Sequence, residues 1–462
     1  MPPPCAGPLP SPRYVFSSKA GTSLVRSTLE TRLPYTPHDY QLEGVCRLLD
    51  GLDLIAVLAT GSGKTGYYVM YTLMLVELSK NPGLCEPACT TVPENPCVVM
   101  VYPTNGLEEE QATVFEAAGL STLVINTETV RAARDRGVDL WMTARSDTSV
   151  ILLSPEQLTS PRFESLLQHP VFNRRACAIG IDEVHLLYSW GQSFRKPYRQ
   201  LGHVRARFPA RTRIIGTTAS LLAGHPEESV FSFLGLRRGR FYLLKRSNAR
   251  PNVQNIIRVS THGLGGWAFP DLRWVLQGDR KTVIHCRTIA LSFRVAVYLW
   301  HLCPPTTDRA KRIRMYNALN WPSYNAETRS LMRDDPAAQI IIATASFMVG
   351  IDLPNIQDVV VVGHLLNADE HVQWAGRAGR DPHIVTDARF ITYVSKNAIQ
   401  TARAVVDGKL PRGEKTGGGK KPTAPQMELS MARLLLAPCI TEMQNVLYDN
   451  PATDSPCPCR RC

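Results

Sequence analysis

The run Ala59-Thr60-Gly61-Ser62-Gly63-Lys64-Thr65 has the residue types of a loop that holds phosphate. Gly61 and Gly63 let the backbone turn tightly, with amides directed at phosphate oxygens; Thr60 and Ser62 complete the cradle. Lys64 supplies positive charge at the terminal phosphates, and Thr65 supplies a hydroxyl for Mg²⁺. Downstream, Asp182 is placed to hold Mg²⁺ through its water shell, and Glu183 to orient or deprotonate the water that attacks the γ-phosphate. An Asp-Glu pair in isolation also suits a helix N-cap, but a chain that carries Lys64 favours the chemical reading. His185 either couples this site to its neighbours or is a satisfied structural histidine. Gln41, upstream of the loop, can pair with both edges of adenine; the plainer reading is a solvent-facing helix amide. A third group is Gln373, Arg377 and Arg380. Two guanidinium groups one helical turn apart face the same way and can stabilise charge developing on the γ-phosphate. A surface basic patch is the alternative, and the embedded Gly376 and Gly379 count against it, since a charged helix face gains nothing from glycine.

These residues need elements to carry them. The apolar run 54–58 is short enough for a buried strand, and residues 67–78 suit a helix, so the loop has the strand–turn–helix setting it requires. Further short apolar runs at 97–101, 123–125, 150–153, 176–181 and 213–215 predict strands separated by helical material. Those at 97–101, 150–153, 176–181 and 213–215 end respectively near Thr104, at Ser154-Pro155-Glu156, at Asp182 and at Gly216. This pattern describes an α/β domain with a mostly parallel sheet and ligands at its carboxyl edge. Residues 224–262 read as a crossing region with a basic run. A second α/β pattern follows: strands at 282–285, 339–344, 358–362 and 390–394, a helix over 289–302, and a helix starting over 369–377. It lacks a glycine-lysine loop, which suggests a duplicated fold with one nucleotide seated between the halves. Residues 408–426 read as a flexible basic linker, 427–448 as helical, and the Pro/Ser-rich residues 1–30 as disordered.

A chain of 462 residues can hold two or three domains with proper cores. Its formal charge of +12 points to an anionic partner, of which nucleic acid is the commonest. No apolar stretch approaches the roughly 18 residues of a membrane span, and the start lacks the apolar segment of a secretory signal. The twelve cysteines are mostly scattered through core-like strands, as at Cys177 and Cys286, which favours a reducing compartment.

Taken in order, these motifs resemble those of superfamily 2 helicases, and among them the RecQ family of DNA helicases. Asp182-Glu183-Val184-His185 is similar to the DEAH-type second motif, with Val184 where alanine is usual. Gly216-Thr217-Thr218-Ala219-Ser220 resembles the third motif, with Ser220 a small departure. Ala343-Thr344 through Asp352 resembles the fifth, and Gln373 through Arg380 the sixth. The stretch Ser189-Trp190-Gly191-Gln192-Ser193-Phe194-Arg195-Lys196-Pro197-Tyr198 resembles the aromatic-rich loop that senses single-stranded DNA in RecQ proteins. Its residue types agree: Trp190 and Phe194 can stack on bases while Arg195 meets a phosphate, with packing of the loop as the alternative. The tail, with Cys439, Cys457, Cys459 and Cys462, resembles the RecQ zinc-binding helical platform, where four thiolates complete a tetrahedral Zn²⁺ site. The single residue between Cys457 and Cys459 departs from the usual spacing, and a cysteine-rich terminus without metal is the other reading.

The resemblance implies an α/β protein with two RecA-like P-loop helicase domains and parallel sheets, plus a small C-terminal helical zinc-binding subdomain. The expected bounds are 31–245 for the ATP-binding domain, 246–408 for the helicase C-terminal domain, 409–426 for the linker and 427–462 for the zinc subdomain. It implies an ATP-dependent 3′–5′ DNA helicase or translocase using ATP, Mg²⁺ and Zn²⁺ on single-stranded and forked DNA, in DNA repair and recombination. The setting would be the nucleus in a eukaryote and the cytoplasm otherwise. Glu183, Lys64, Gln373, Arg377 and Arg380 would be catalytic. Gln41, residues 60–65 and Asp352 would bind nucleotide. Thr104, Ser154, Arg287 and Thr344 would join Trp190, Phe194, Arg195 and Tyr198 on DNA. With nothing after Cys462, the family's winged helix and its strand-separating hairpin would be missing, and hydrolysis and movement are then expected more than efficient duplex opening. An RNA-dependent ATPase of the same superfamily and a nucleic-acid-binding scaffold with little turnover are the competing readings.

Overall fold

The computed structural model describes residues 13–89, 92–189, 204–347, 353–409 and 427–452. The chain divides into two compact units. One comprises Met1–Ala56, Gly63–Thr218 and Glu228–Leu244; the other comprises Val57–Ser62, Ala219–Glu227 and Lys245–Cys462.

The first sheet has seven strands: β1 Asp53–Val57, β2 Cys97–Val101, β3 Thr122–Ile125, β4 Val150–Leu153, β5 Ala176–Asp182, β6 Arg213–Thr218 and β7 Phe241–Lys245. Their order is β3-β4-β2-β5-β6-β1-β7, and the pairs β3–β4, β4–β2, β2–β5 and β5–β6 are parallel. β1, β2 and β4 are buried along their whole length. Continuous apolar runs rich in valine and isoleucine have this fate when helices cover both faces of a sheet. At the amino edge, buried Asp53 accepts from Arg205 Nη1 at 2.8 Å and from the Ile214 amide at 2.9 Å.

The second sheet has six strands: β8 Val253–Val259, β9 Thr282–Cys286, β10 Ile313–Tyr316, β11 Ile340–Ala343, β12 Asp358–Val362 and β13 Ala388–Val394. Their order is β10-β11-β9-β12-β13-β8, parallel throughout. Here too a buried aspartate sits at the amino edge: Asp358 accepts from both Arg280 and Arg389. With the amino edges so anchored, all the loops that follow the strands of this sheet share its other edge.

Several elements differ from the sequence reading. Residues 1–30 are not disordered throughout: Lys19–Glu30 is a helix capped by Ser18, with Val25 and Leu29 fully buried. The small apolar stripe was diluted by serines and threonines that face outward. The stretch 224–262 is more than a crossing region, since it holds the helix His225–Phe233 and both β7 and β8. β8 is half-exposed along its length and so lacks the apolar run that marks the central strands. β10 and the helix Pro322–Asp334 were also missed. The helical tail is two helices, Leu429–Leu436 and Ile440–Tyr448. Met431, Leu434, Leu435 and Tyr448 join the core built from Val359, Val361, Trp374 and Phe390, and the Tyr448 hydroxyl donates to Asp369 at 2.8 Å. These helices therefore share the second unit's core. No described helix is long and apolar enough to cross a membrane.

Candidate nucleotide and nucleic-acid site

The phosphate loop leaves β1 and enters the helix Thr65–Lys80, with Lys64 at the N-cap and Thr65 opening the first turn. Gly61 and Gly63 hold φ of 87° and 72°, in the left-handed region. Gln41 is 3 % exposed, which rules out a solvent-facing amide. Its Nε2 donates to the Gly63 carbonyl at 2.9 Å and its Oε1 accepts from the His38 amide at 3.0 Å. Gln41 thus braces the loop against the start of the helix Asp39–Leu49.

The two acids end β5. Asp182 Oδ1 accepts from Thr217 Oγ1 at 2.8 Å, and Thr217 in turn lies 2.8 Å from the buried Tyr68 hydroxyl, which also reaches the Ile181 carbonyl. Burial, and then the neighbouring Glu183, raise the Asp182 carboxyl to about 6, while Lys64 and Thr217 oppose the rise. A divalent cation would favour the ionised form, so Asp182 and Thr65 fit the binding of Mg²⁺. Glu183 holds a φ of 52°, unusual for a residue with a side chain. The Val184 amide donates to the Thr217 carbonyl at 3.1 Å, which fixes this turn onto β6. His185 Nδ1 lies 3.2 Å from Glu183 Oε2 and 2.8 Å from Thr218 Oγ1. His185 therefore links the acid to β6. Val184 packs against Gly216: a Cβ on Gly216 would stand 2.8 Å from Val184 Cγ1 and 2.7 Å from Ile55 Cδ1. Valine fills the space that glycine leaves.

On the same unit Pro103, Thr104, Asn105, Thr127, Ser154 and Glu156 line a polar cleft of about 350 Å³. Thr104 and Ser154, expected to meet DNA, are thus brought together. Sequence reasoning missed what supports them. Asn126 caps the helix Thr127–Asp135 through its oxygen and donates its Nδ2 to Glu108 Oε2 at 2.9 Å. Glu108 is fully buried, and burial pushes its carboxyl up to about 8. Buried Tyr102, whose hydroxyl has no partner among the described residues, feels both Asp182 and Glu108.

In the second unit, Arg287 follows β9, donates to the His364 carbonyl at 3.0 Å and stands 3.7 Å from Glu370. Thr288 caps the helix Ile289–Leu302. Thr344 follows β11, is 7 % exposed and lies 3.3 Å from Ser346 Oγ. Gln373 lies on the helix Ala368–Ala375. Arg377 and Arg380 come after that helix ends, so they do not form one face of it; they sit on a turn. Gly379 has φ of 52°, its amide donates to the Ile356 carbonyl at 2.7 Å, and a Cβ there would stand 2.7 Å from Ala388 Cβ. Helical geometry could not survive that approach to β13. Two residues not singled out in the sequence hold this turn. Arg250 donates to the Gly379 and Ala378 carbonyls, and Asn252 Nδ2 donates to Gly379 and Val385 at 2.8 and 3.1 Å. Burial, then the charge of Arg380, lower Arg250 to about 10. Neither residue belongs to a spaced motif, so no sequence signal marked them. Trp374 anchors the preceding helix by stacking on His285 at 4.0 Å and on Phe347.

Trp190, Phe194, Arg195, Tyr198 and Asp352 lie outside the described residues, as do Cys457, Cys459 and Cys462. Cys439 is described: its sulfur accepts from the Glu442 amide at 3.4 Å, at the start of the helix Ile440–Tyr448. Among the described residues no group of three or more His, Cys, Asp or Glu is arranged to hold a metal.

A family model described as DEAD/DEAH box helicase matches residues 38–227, the stretch that carries the loop, the two acids and β6. ATP-dependent DNA helicase Q1 of Rattus norvegicus is 25% identical over 345 residues, covering 74% of this chain and 50% of its own. ATP-dependent DNA helicase RecQ of Haemophilus influenzae is 24% identical over 343 residues, covering 74% and 49%. The chain thus carries a DEAD/DEAH box helicase match over residues 38–227 and is similar to RecQ-type superfamily 2 helicases. It spans about half the length of these curated relatives. Among solved structures, the DUF1998 helicase MrfA bound to DNA and AMPPNP aligns with a TM-score of 0.63 at 18% identity, over 83% of this chain and 52% of that one. Dbp5 of S. cerevisiae bound to RNA and ADP BeF3 aligns at 0.57 and 14%, over 84% and 92%. At these identities the likeness establishes the fold alone: two RecA-like α/β domains.

Proposed function

We propose that this RecQ-type chain is an ATP-dependent DNA helicase or translocase that moves 3′ to 5′ along single-stranded DNA. The observation that carries the reading is the assembly at the ends of β5 and β6. There Glu183, held at a left-handed φ, is tied to His185 and Thr218, while Asp182 is tied to Thr217. Such a network aims one acid at water and reserves the other for a cation. Mg²⁺, held by Thr65 and Asp182, would neutralise charge on the β- and γ-phosphates. Lys64 binds the terminal phosphates and Glu183 takes the proton of the attacking water. Gln373, Arg377 and Arg380 stabilise the transition-state charge, and Gln41 and Asp352 complete nucleotide recognition. Thr104, Ser154, Arg287 and Thr344 contact the strand, and Trp190, Phe194, Arg195 and Tyr198 couple its presence to hydrolysis.

The same reading assigns one Zn²⁺ to Cys439, Cys457, Cys459 and Cys462. A cysteine whose sulfur accepts a backbone amide at a helix start suits a thiolate ligand. Elemental analysis should then find about one zinc per chain.

The deciding experiment compares ATP hydrolysis with single-stranded DNA, single-stranded RNA and no polymer, followed by strand separation on 3′- and 5′-overhang duplexes. Stimulation by DNA and activity on the 3′-overhang alone are expected. Greater stimulation by RNA would make this an RNA-dependent ATPase, and no stimulated turnover would leave only a binding scaffold.

A further inference from the structure

Two tryptophans of the second unit stand in water on loops that hydrogen bonds hold firmly. Trp321 is 81 % exposed and Trp267 is 60 % exposed. Asn320 donates to the Met315 carbonyl at 2.9 Å and to Asn325 at 3.1 Å, and Asn325 donates back to the Asn317 carbonyl at 3.0 Å. These bonds fix the loop after β10 while leaving Trp321 outside. On the other loop, Thr261 donates twice to Asp271, Arg294 donates to the Gly266 carbonyl at 2.6 Å, and Phe269 is buried beneath. Trp267 meets the edge of Phe293, itself 52 % exposed, with ring centroids 6.4 Å apart at 81°. A large indole gains by burial, so a rigid loop that withholds it from the core leaves a face for a flat ligand.

Their place in the sheet indicates which ligand. Because the sheet is parallel, the loops after β10, β11, β9 and β8 share the carboxyl edge. Read along that edge, the strand order gives Trp321 after β10, Thr344 after β11, Arg287 and Thr288 after β9, His364 after β12, Ser395 after β13, and Trp267 after β8. A cation and hydroxyls lie between two aromatic faces. This is the composition of a single-strand track, in which phosphates take the positive centre and bases stack on the rings. We infer that Trp321 and Trp267 are base-stacking platforms that bracket an unpaired strand along the carboxyl edge of the second sheet. Five inter-strand spacings of about 4.8 Å put the sheet's outer strands about 24 Å apart, which at about 3.4 Å per stacked nucleotide accommodates up to roughly seven nucleotides. The inference rests on the nucleic-acid reading above and adds a site to it that no motif marks.

The test is fluorescence anisotropy of labelled dT12 and dT4 with the full chain and with W321A, W267A and the double variant. Each single change should weaken dT12 binding about tenfold through loss of one base stack, and the double variant should lose more. Binding of dT4, too short to reach both rings, should be hurt no more by the double variant than by the worse single one. The slope of affinity against salt should stay as in the unmutated chain, whereas R287A should make it shallower. Photocrosslinking of 5-iodouracil-substituted dT12 should label Trp321 and Trp267. Unchanged dT12 affinity in the double variant, or crosslinks confined to other residues, overturns the inference and leaves the helicase reading standing. A double variant that alters self-association but not affinity also overturns it, assigning the surface to a second copy. If the unmutated chain binds neither dT12 nor rU12, both readings fall together.

Discussion

The acid-bearing end of β5 and the arginine-bearing turn after Trp374 are both held by hydrogen bonds, but of different kinds. Around Asp182 and Glu183 the bonds run from side chain to side chain: Tyr68 to Thr217 to Asp182, and Thr218 to His185 to Glu183. The turn that carries Arg377 and Arg380 is gripped at its Gly379 carbonyl, and at that of Val385, by Arg250 and Asn252. The first arrangement tunes proton affinity, because each donor changes how readily a carboxyl gives up its proton. The second fixes where a permanently charged group stands, and a guanidinium needs no tuning. Variants on the acid side should therefore shift pH profiles. Those on the arginine side should lower kcat without shifting them.

The largest effect expected is from Glu183→Gln, which removes the proposed general base and should lower the hydrolysis rate about 10²–10⁴-fold while ATP still binds. Next, Arg250→Ala should lower kcat about 10–100-fold, since displacing a transition-state group by about 1 Å costs on that order. The pH profile should keep its midpoint; a moved midpoint would blur the contrast between the two regions. Thr217→Val removes a donor from Asp182, so the Asp182 pKa, already near 6, should rise further. Mg²⁺ dependence in the unmutated chain should weaken as pH falls through about 6, where the carboxyl takes up its proton, and in the variant this loss should begin at higher pH. An unshifted profile would break the tuning argument.

Smaller effects test the supports. Glu108 ionises near its ordinary value when unfolded but only near 8 when folded. Below its unfolded pKa it costs nothing, and stability is lost as pH rises through the folded value. Thermal melts should show Glu108→Gln gaining on the unmutated chain between about pH 5 and 9. Smallest of all, Tyr448→Phe forfeits one hydrogen bond to Asp369 and should cost about 1 kcal/mol of stability in chemical denaturation.

What could be read in advance followed from repetition and spacing. Runs such as residues 97–101, 150–153 and 358–362 are apolar at every position, so burial on both faces marked them as parallel strands. The string from Ala59 to Thr65 and the pair Asp182–Glu183 declared themselves because phosphate and metal chemistry admits few residue types. β8 and β10 escaped because partial exposure mixes their patterns, and Arg250 and Asn252 because they act on backbone atoms, which any sequence possesses. The helical placement of Arg377 and Arg380 failed on a tertiary constraint: the turn at Gly379 lies against Ala388, a neighbour supplied by β13 and invisible locally. Trp267 and Trp321 carried no message until the strand order put them on one edge.

Everything turns on whether Glu183 acts on water at a site whose phosphate contacts are separate. Single-turnover hydrolysis of radiolabelled ATP, measured with and without single-stranded DNA in the unmutated chain and in Glu183→Gln, asks this directly. The account predicts a DNA-accelerated cleavage step that the substitution all but removes, with nucleotide still bound. Cleavage by Glu183→Gln at the unmutated rate would contradict it.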